Sequence, residues 1–189
     1  MLMFGHPGIT LGAAALIAAA VRREPAGESA AASWFSPLSR CLDIRLLLVG
    51  SMLPDIIDKP VGQFFFRDTF SNGRIFSHTL LFLIVLAGAG FFLYKRYRQF
   101  WMLTLAAGTF THLVLDAMWL APATLFWPAM GFGFEKEVLD DWLWMLFHGT
   151  VTHPERAIPE LIGLGMLAWF GVTLLFKKRL GVFFKHGYV

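Results

Sequence analysis

Three stretches of this chain are apolar over nearly the length a helix needs to cross hydrocarbon: 78 to 94 (HTLLFLIVLAGAGFFLY), 100 to 121 (FWMLTLAAGTFTHLVLDAMWLA) and 160 to 176 (ELIGLGMLAWFGVTLLF). About 20 helical residues cover the roughly 30 Å core of a bilayer. Two shorter apolar stretches, 7 to 21 and 43 to 57, suit short or tilted segments shielded by their neighbours. The expected fold is therefore all-α: a single domain over residues 1 to 189, polytopic, with about five membrane segments. Composition agrees, with 57% hydrophobic residues, 15% charged and a mean hydropathy of +0.61, outside the usual range of a soluble domain. An N-terminal signal peptide is not expected. No basic residue precedes the first run, and Arg22 and Arg23 follow it where a small-residue cleavage site belongs.

Basic residues give these segments a direction. Arg22, Arg23, Arg40 and Arg45 lie between the first two, Lys95, Arg96 and Arg98 between the third and fourth, and Lys177, Lys178, Arg179 and Lys185 after the fifth. With the positive clusters cytoplasmic, the N-terminus is expected outside and the C-terminus inside. The net charge of +3 is thus spread as membrane topology, not as a stripe that tracks nucleic acid. Residues 22 to 42 read as a loop. The stretch from 122 to 159, broken by Pro122 and Pro128 and carrying Glu135, Glu137, Asp140 and Asp141, suits an interfacial helix.

That topology brings the polar residues of the apolar segments to one face. His6 begins the first, Asp55 and Asp58 end the second, His78 begins the third, His112 and Asp116 lie toward the end of the fourth, and Glu160 begins the fifth. His112 and Asp116 are one helical turn apart, a spacing that can bind one cation or make one structural hydrogen bond. Within an apolar helix a desolvated carboxylate needs a partner, which favours the cation. Asp55 and Asp58 repel unless a cation or proton is shared; otherwise Asp55 caps a turn and Asp58 pairs with Lys59 or Arg74. With one cysteine, Cys41, any metal must rely on His and carboxylates. His148 and His153 flank a short loop and are ambiguous, while His186 falls at the opposite face. Trp119, Trp127, Trp142 and Trp144 read as an interfacial belt, and Gly88 and Gly90 as helix-packing positions.

His6, then LPDIIDKP with Asp55 and Asp58, RIFSH with Arg74 and His78, and THLVLD with His112 and Asp116 together resemble the YdjM-like family of inner-membrane metal-dependent hydrolases. The resemblance implies a prokaryotic inner-membrane hydrolase with a divalent metal. The family label also mentions LexA binding, which the expected topology places on the other side of the membrane from this cluster. The order of residues also distantly resembles zinc-dependent phospholipase C, on which analogy His6, Asp55, His78, His112 and Asp116 are ligands. A later H-x-x-x-E pair of that enzyme has no counterpart, since Thr152 stands four positions after His148, and Glu160 or His153 would replace part of it as a metal ligand.

The expected function is hydrolysis of a phosphoester in a lipid or lipid-linked substrate at the non-cytoplasmic face, with no nucleic-acid partner. Zn²⁺ is the first expectation, with Mn²⁺ or Fe²⁺ as alternatives for mixed nitrogen and oxygen ligands. Asp58 is the expected base or a second-metal ligand, and Arg74 the group that offsets phosphoryl charge. Two rival classes remain: an ion-coupled transporter, which would need a polar relay to the other side, and a non-catalytic metal-binding regulatory membrane protein.

Overall fold

A computed structural model describes residues 3–21, 42–136 and 153–187. Its elements are α1 (Gly5–Val21), α2 (Ile44–Pro60), a π-helical turn (Val61–Phe65), a 3₁₀ turn (Phe76–His78), α3 (Leu80–Tyr97), α4 (Trp101–Leu115), a second 3₁₀ turn (Met118–Leu120), the single turn α5 (Pro122–Leu125), α6 (Pro154–Phe176) and α7 (Leu180–His186). No strand occurs among the described residues. Arg22, Arg23, Arg40, Cys41, Glu137, Asp140, Asp141, Trp142, Trp144 and His148 lie outside them, as do residues 137 to 152 of the stretch expected to hold an interfacial helix.

Each helix begins or ends for a local reason. Asp43 caps α2 by accepting from the Arg45 N–H at 3.0 Å, and the Thr79 hydroxyl caps α3 by accepting from the Phe82 N–H at 3.1 Å. Arg98, at φ 56°, ends α3 in the left-handed region. The fourth apolar segment stops as a helix at Leu115, six residues before its expected end, because Asp116 caps it and Ala117 turns at φ 50°. The last segment instead starts earlier, at Pro154, a residue suited to the first helical turn.

The helices pack in the order α6, α1, α2, α4, α3, with α1 also touching α4. An apolar cluster of Leu11, Ala15, Ile44, Leu47, Phe170, Leu174 and Phe183 closes the end away from the polar residues. There α7 is tied back to α2, Arg45 donating to the Phe184 carbonyl at 2.6 Å. Elsewhere the usual pattern is inverted. His6, Thr10, Ser51, Asp58, His78, Thr104, Thr109 and His112 are buried, while Leu81, Ile84, Val85, Phe91 and Phe92 of α3 are exposed. An apolar helix with so little packed surface is stable against lipid and costly in water. Two helices, Leu80–Tyr97 and Arg156–Phe176, are long and apolar enough to span a membrane; Gly5–Ala20 and Trp101–Leu115 are shorter apolar helices.

Two glycine crossings set the bundle. At Gly8 and Gly163 the backbones of α1 and α6 touch, and a side chain on either glycine would meet the other helix's backbone. On α4, a Cβ at Gly108 would stand 2.5 Å from the Leu47 carbonyl oxygen, and on α2 a Cβ at Gly50 would stand 2.5 Å from that of Leu105. Small residues let helices approach this way where hydrophobic attraction between them is weak. Of the two glycines expected to pack helices, Gly90 does so against Leu103, while Gly88 meets nothing within 4 Å. Gly108→Val should therefore cost about 3 kcal/mol and Gly88→Val almost nothing. Thermal unfolding of both variants in detergent checks this, and equal melting temperatures would refute the crossing as described.

Candidate metal centre

Pro54 shapes the site. It lies inside α2 and has no N–H to give the Gly50 carbonyl four residues earlier. That carbonyl instead accepts from the Thr109 hydroxyl of α4 at 3.3 Å. The next carbonyl, of Ser51, accepts from His112 Nδ1 at 2.7 Å. Past the proline α2 remains helical, so Asp55 and Asp58 stand three residues apart as expected, but their carboxylates take different partners.

Asp58 is fully buried and faces the loop before α3. It accepts from the backbone N–H groups of Ile75 (2.8 Å), Ser77 (3.0 Å) and His78 (3.2 Å), and from His78 Nδ1 at 2.7 Å. Oδ2 takes most of these bonds and Oδ1 shares the Ser77 N–H, which gives the expected base or second-metal ligand the geometry of a group that orients His78. Asp55 faces inward. Its Oδ2 accepts from Lys59 Nζ at 2.7 Å, and its Oδ1 lies 3.6 Å from His78 Nε2 and 3.9 Å from His112 Nε2. The pairings foreseen for Lys59 and Arg74 with Asp58 are replaced: Lys59 holds Asp55, and Arg74 Nε donates to Asp116 Oδ2 at 3.0 Å.

Asp116 Oδ1 contacts His6 Nε2 at 3.0 Å, and the His6 ring stacks on His112 with centroids 4.0 Å apart. His6 Nδ1 is buried with no partner among the described residues. His112 Nε2 and His78 Nε2 face each other at 3.2 Å.

This last contact tests whether the residues suit a metal. A carboxylate and a carbonyl only accept, so Nδ1 of His78 is protonated toward Asp58 and Nδ1 of His112 toward Ser51. In the neutral rings both Nε2 atoms then carry lone pairs, aimed at each other in a buried space beside two carboxylates. Partners on the far ring nitrogen are how metal-binding histidines are held. Two overlapping triads, His6 with Asp55 and His112, and His78 with His112 and Asp116, each bring one ligand atom per residue within 4.8 Å of the others. The donor set fits a divalent cation.

Glu160 is placed elsewhere. Its Oε2 accepts from the N–H groups of Met3, Phe4 and Gly5 at 3.2, 2.8 and 3.2 Å, so it caps the start of α1 and joins neither triad. His153 precedes α6, is exposed and also belongs to neither. Trp119 is exposed, as a belt residue would be, whereas Trp127 packs between Phe76 and Phe134, next to the turn that carries His78. The Ser51 carbonyl was hidden from sequence reasoning because a backbone oxygen leaves no residue-type signal. The nearby Pro54 marks only the Gly50 carbonyl, which Thr109 takes.

No curated protein and no solved structure matches the chain. A family described as YdjM inner membrane protein matches residues 1–180, a span that contains every side chain of both triads. The chain belongs to the YdjM inner membrane protein family.

Proposed function

We propose that the protein is a membrane-bound metal-dependent hydrolase that cleaves a phosphoester in a lipid or lipid-linked substrate at the non-cytoplasmic face of the inner membrane. The observation that carries this reading is the pair of facing imidazole nitrogens at 3.2 Å, each with its far side fixed by an acceptor. A proton between them would satisfy that one contact, but a divalent ion would also serve the Asp55 and Asp116 oxygens beside them. Mixed nitrogen and oxygen ligands suit Zn²⁺ first, then Mn²⁺ or Fe²⁺. His6, Asp55, His78, His112 and Asp116 would hold it.

When bound, such an ion lowers the pKa of coordinated water toward about 7 and polarises a phosphoryl oxygen. The chain's own groups do the rest. Asp58 and the Ser51 carbonyl fix the rings of His78 and His112, and Asp58 acts as a positioning residue. Arg74, partly exposed beside Asp116, offsets charge on the phosphoryl group. Five membrane segments with the N-terminus outside are supported by Lys95, Arg96, Lys177, Lys178 and Arg179, all at the helix ends away from the cluster.

The test is turnover by detergent-purified, Zn²⁺-loaded protein on a panel of phosphomonoesters and phosphodiesters, lipid ones included. Arg74→Ala should keep its metal and lose roughly 10²-fold to 10³-fold in kcat. Stoichiometric metal with no hydrolysis of any phosphoester would sink the enzyme reading and leave a metal-binding regulatory protein. A transporter is less well supported, because the ionisable side chains gather at one end and the other end is closed by the apolar cluster around Leu11, Ile44 and Phe170.

A further inference from the structure

Gln63 is only 7% exposed, and its Nε2 has no hydrogen-bond partner among the described residues. A buried amide left unpaired is destabilising, and such groups usually have a partner in some state of the protein. Gln63 sits in the π-helical turn Val61–Phe65 that follows α2, a distortion frequent at functional sites. Its surroundings say what the missing partner is. Gly73 packs against it: a Cβ built there would come 3.8 Å from Gln63 Nε2 and 3.4 Å from Lys59 Cγ. The amide and the lysine stem therefore both lie against Gly73, the residue preceding Arg74. Lys59 Nζ holds Asp55 Oδ2 and Arg74 Nε holds Asp116 Oδ2, so the two cations flank the histidine cluster. Their side chains are 24% and 42% exposed, which puts both at its open edge. An amide nitrogen only donates, so its partner is an acceptor, and with Lys59 and Arg74 contributed by the residues packed around Gly73 the favoured acceptor is an anionic oxygen.

We propose that Gln63 is a substrate-binding residue that, with Lys59 and Arg74, holds a phosphoryl oxygen next to the histidine cluster. This rests on the phosphoester reading for the identity of the anion. The experiment titrates inorganic phosphate into the detergent-purified, Zn²⁺-loaded full chain by calorimetry, comparing wild type with the near-isosteric Gln63→Met and with Gln63→Glu. Phosphate should bind the wild type, bind Gln63→Met about tenfold more weakly, and not bind Gln63→Glu, where a like charge faces the anion. Metal content should be equal in all three. Without phosphate, Gln63→Met should melt at the wild-type temperature or above it, since Nε2 has no hydrogen bond among the described residues to lose. Equal phosphate affinity in wild type and Gln63→Met would overturn the proposal, as would no binding to wild type, or a Gln63→Met that is destabilised without phosphate. Failure of the hydrolase reading looks different: phosphate binding that depends on Gln63, with no phosphoester turned over.

Discussion

His112→Ala is expected to purify without metal, while His6→Ala and His78→Ala each retain part of it. His112 alone belongs to both triads, so its loss breaks both, whereas His6 serves only the triad with Asp55, and His78 only the triad with Asp116. The loss in affinity should exceed the roughly 100-fold that an outer partner of a ligand is worth. Elemental analysis of folded protein after Zn²⁺ loading reads the difference directly, with circular dichroism to confirm that each variant keeps its helices. If His112→Ala still carried stoichiometric metal, the cluster described here would not be its site. An unchanged metal content in all three variants would also remove the basis for the hydrolase.

The second large effect belongs to a residue that need not touch the ion. Asp58→Ala leaves three backbone N–H groups and His78 Nδ1 without their acceptor in a fully buried place. Breaking a buried charged network from one side costs about 3–5 kcal/mol. The loop from Asn72 to His78 is shaped around that carboxylate, so loss of order there is expected as well. Freed of its anchor, His78 can rotate or change tautomer, and metal affinity should fall about 10-fold to 100-fold. Chelator competition and thermal unfolding on the same variant separate the two effects. A folded Asp58→Ala with wild-type metal affinity would show that His78 needs no orienting partner.

Much of this arrangement was legible in the sequence, for reasons that can be named. Apolar length located the helices, and antiparallel alternation sent His6, Asp55, His78, His112 and Asp116 to one end, where the structure brings their side chains together. The same logic carried Glu160 to that end but could not say which way it pointed. The unpaired N–H groups at the start of α1 claimed it. The hold of Asp58 on the loop before α3 was not legible for a similar reason. Its partners are backbone N–H groups 17 to 20 positions away, and side-chain spacing does not register them. The helical part of 100 to 121 was overestimated because Met118, Trp119 and Leu120 are as apolar as what precedes them, and only the turn at Ala117 separates them from α4.

The crossing of α2 and α4 has a consequence for how this protein meets its bilayer. Gly50 and Gly108 pack closely, and Ser51, next to Gly50, and His112, one turn past Gly108, make the bond that fixes the proton on the ring. Sliding one helix along the other by a single residue, about 1.5 Å, would trade that carbonyl for another and leave the imidazole free to turn its proton inward. The register of the two helices thus sets how well the ring could serve a cation, were one held there. Hydrocarbon thickness, which helices answer by tilting, would then bear on the site through that register.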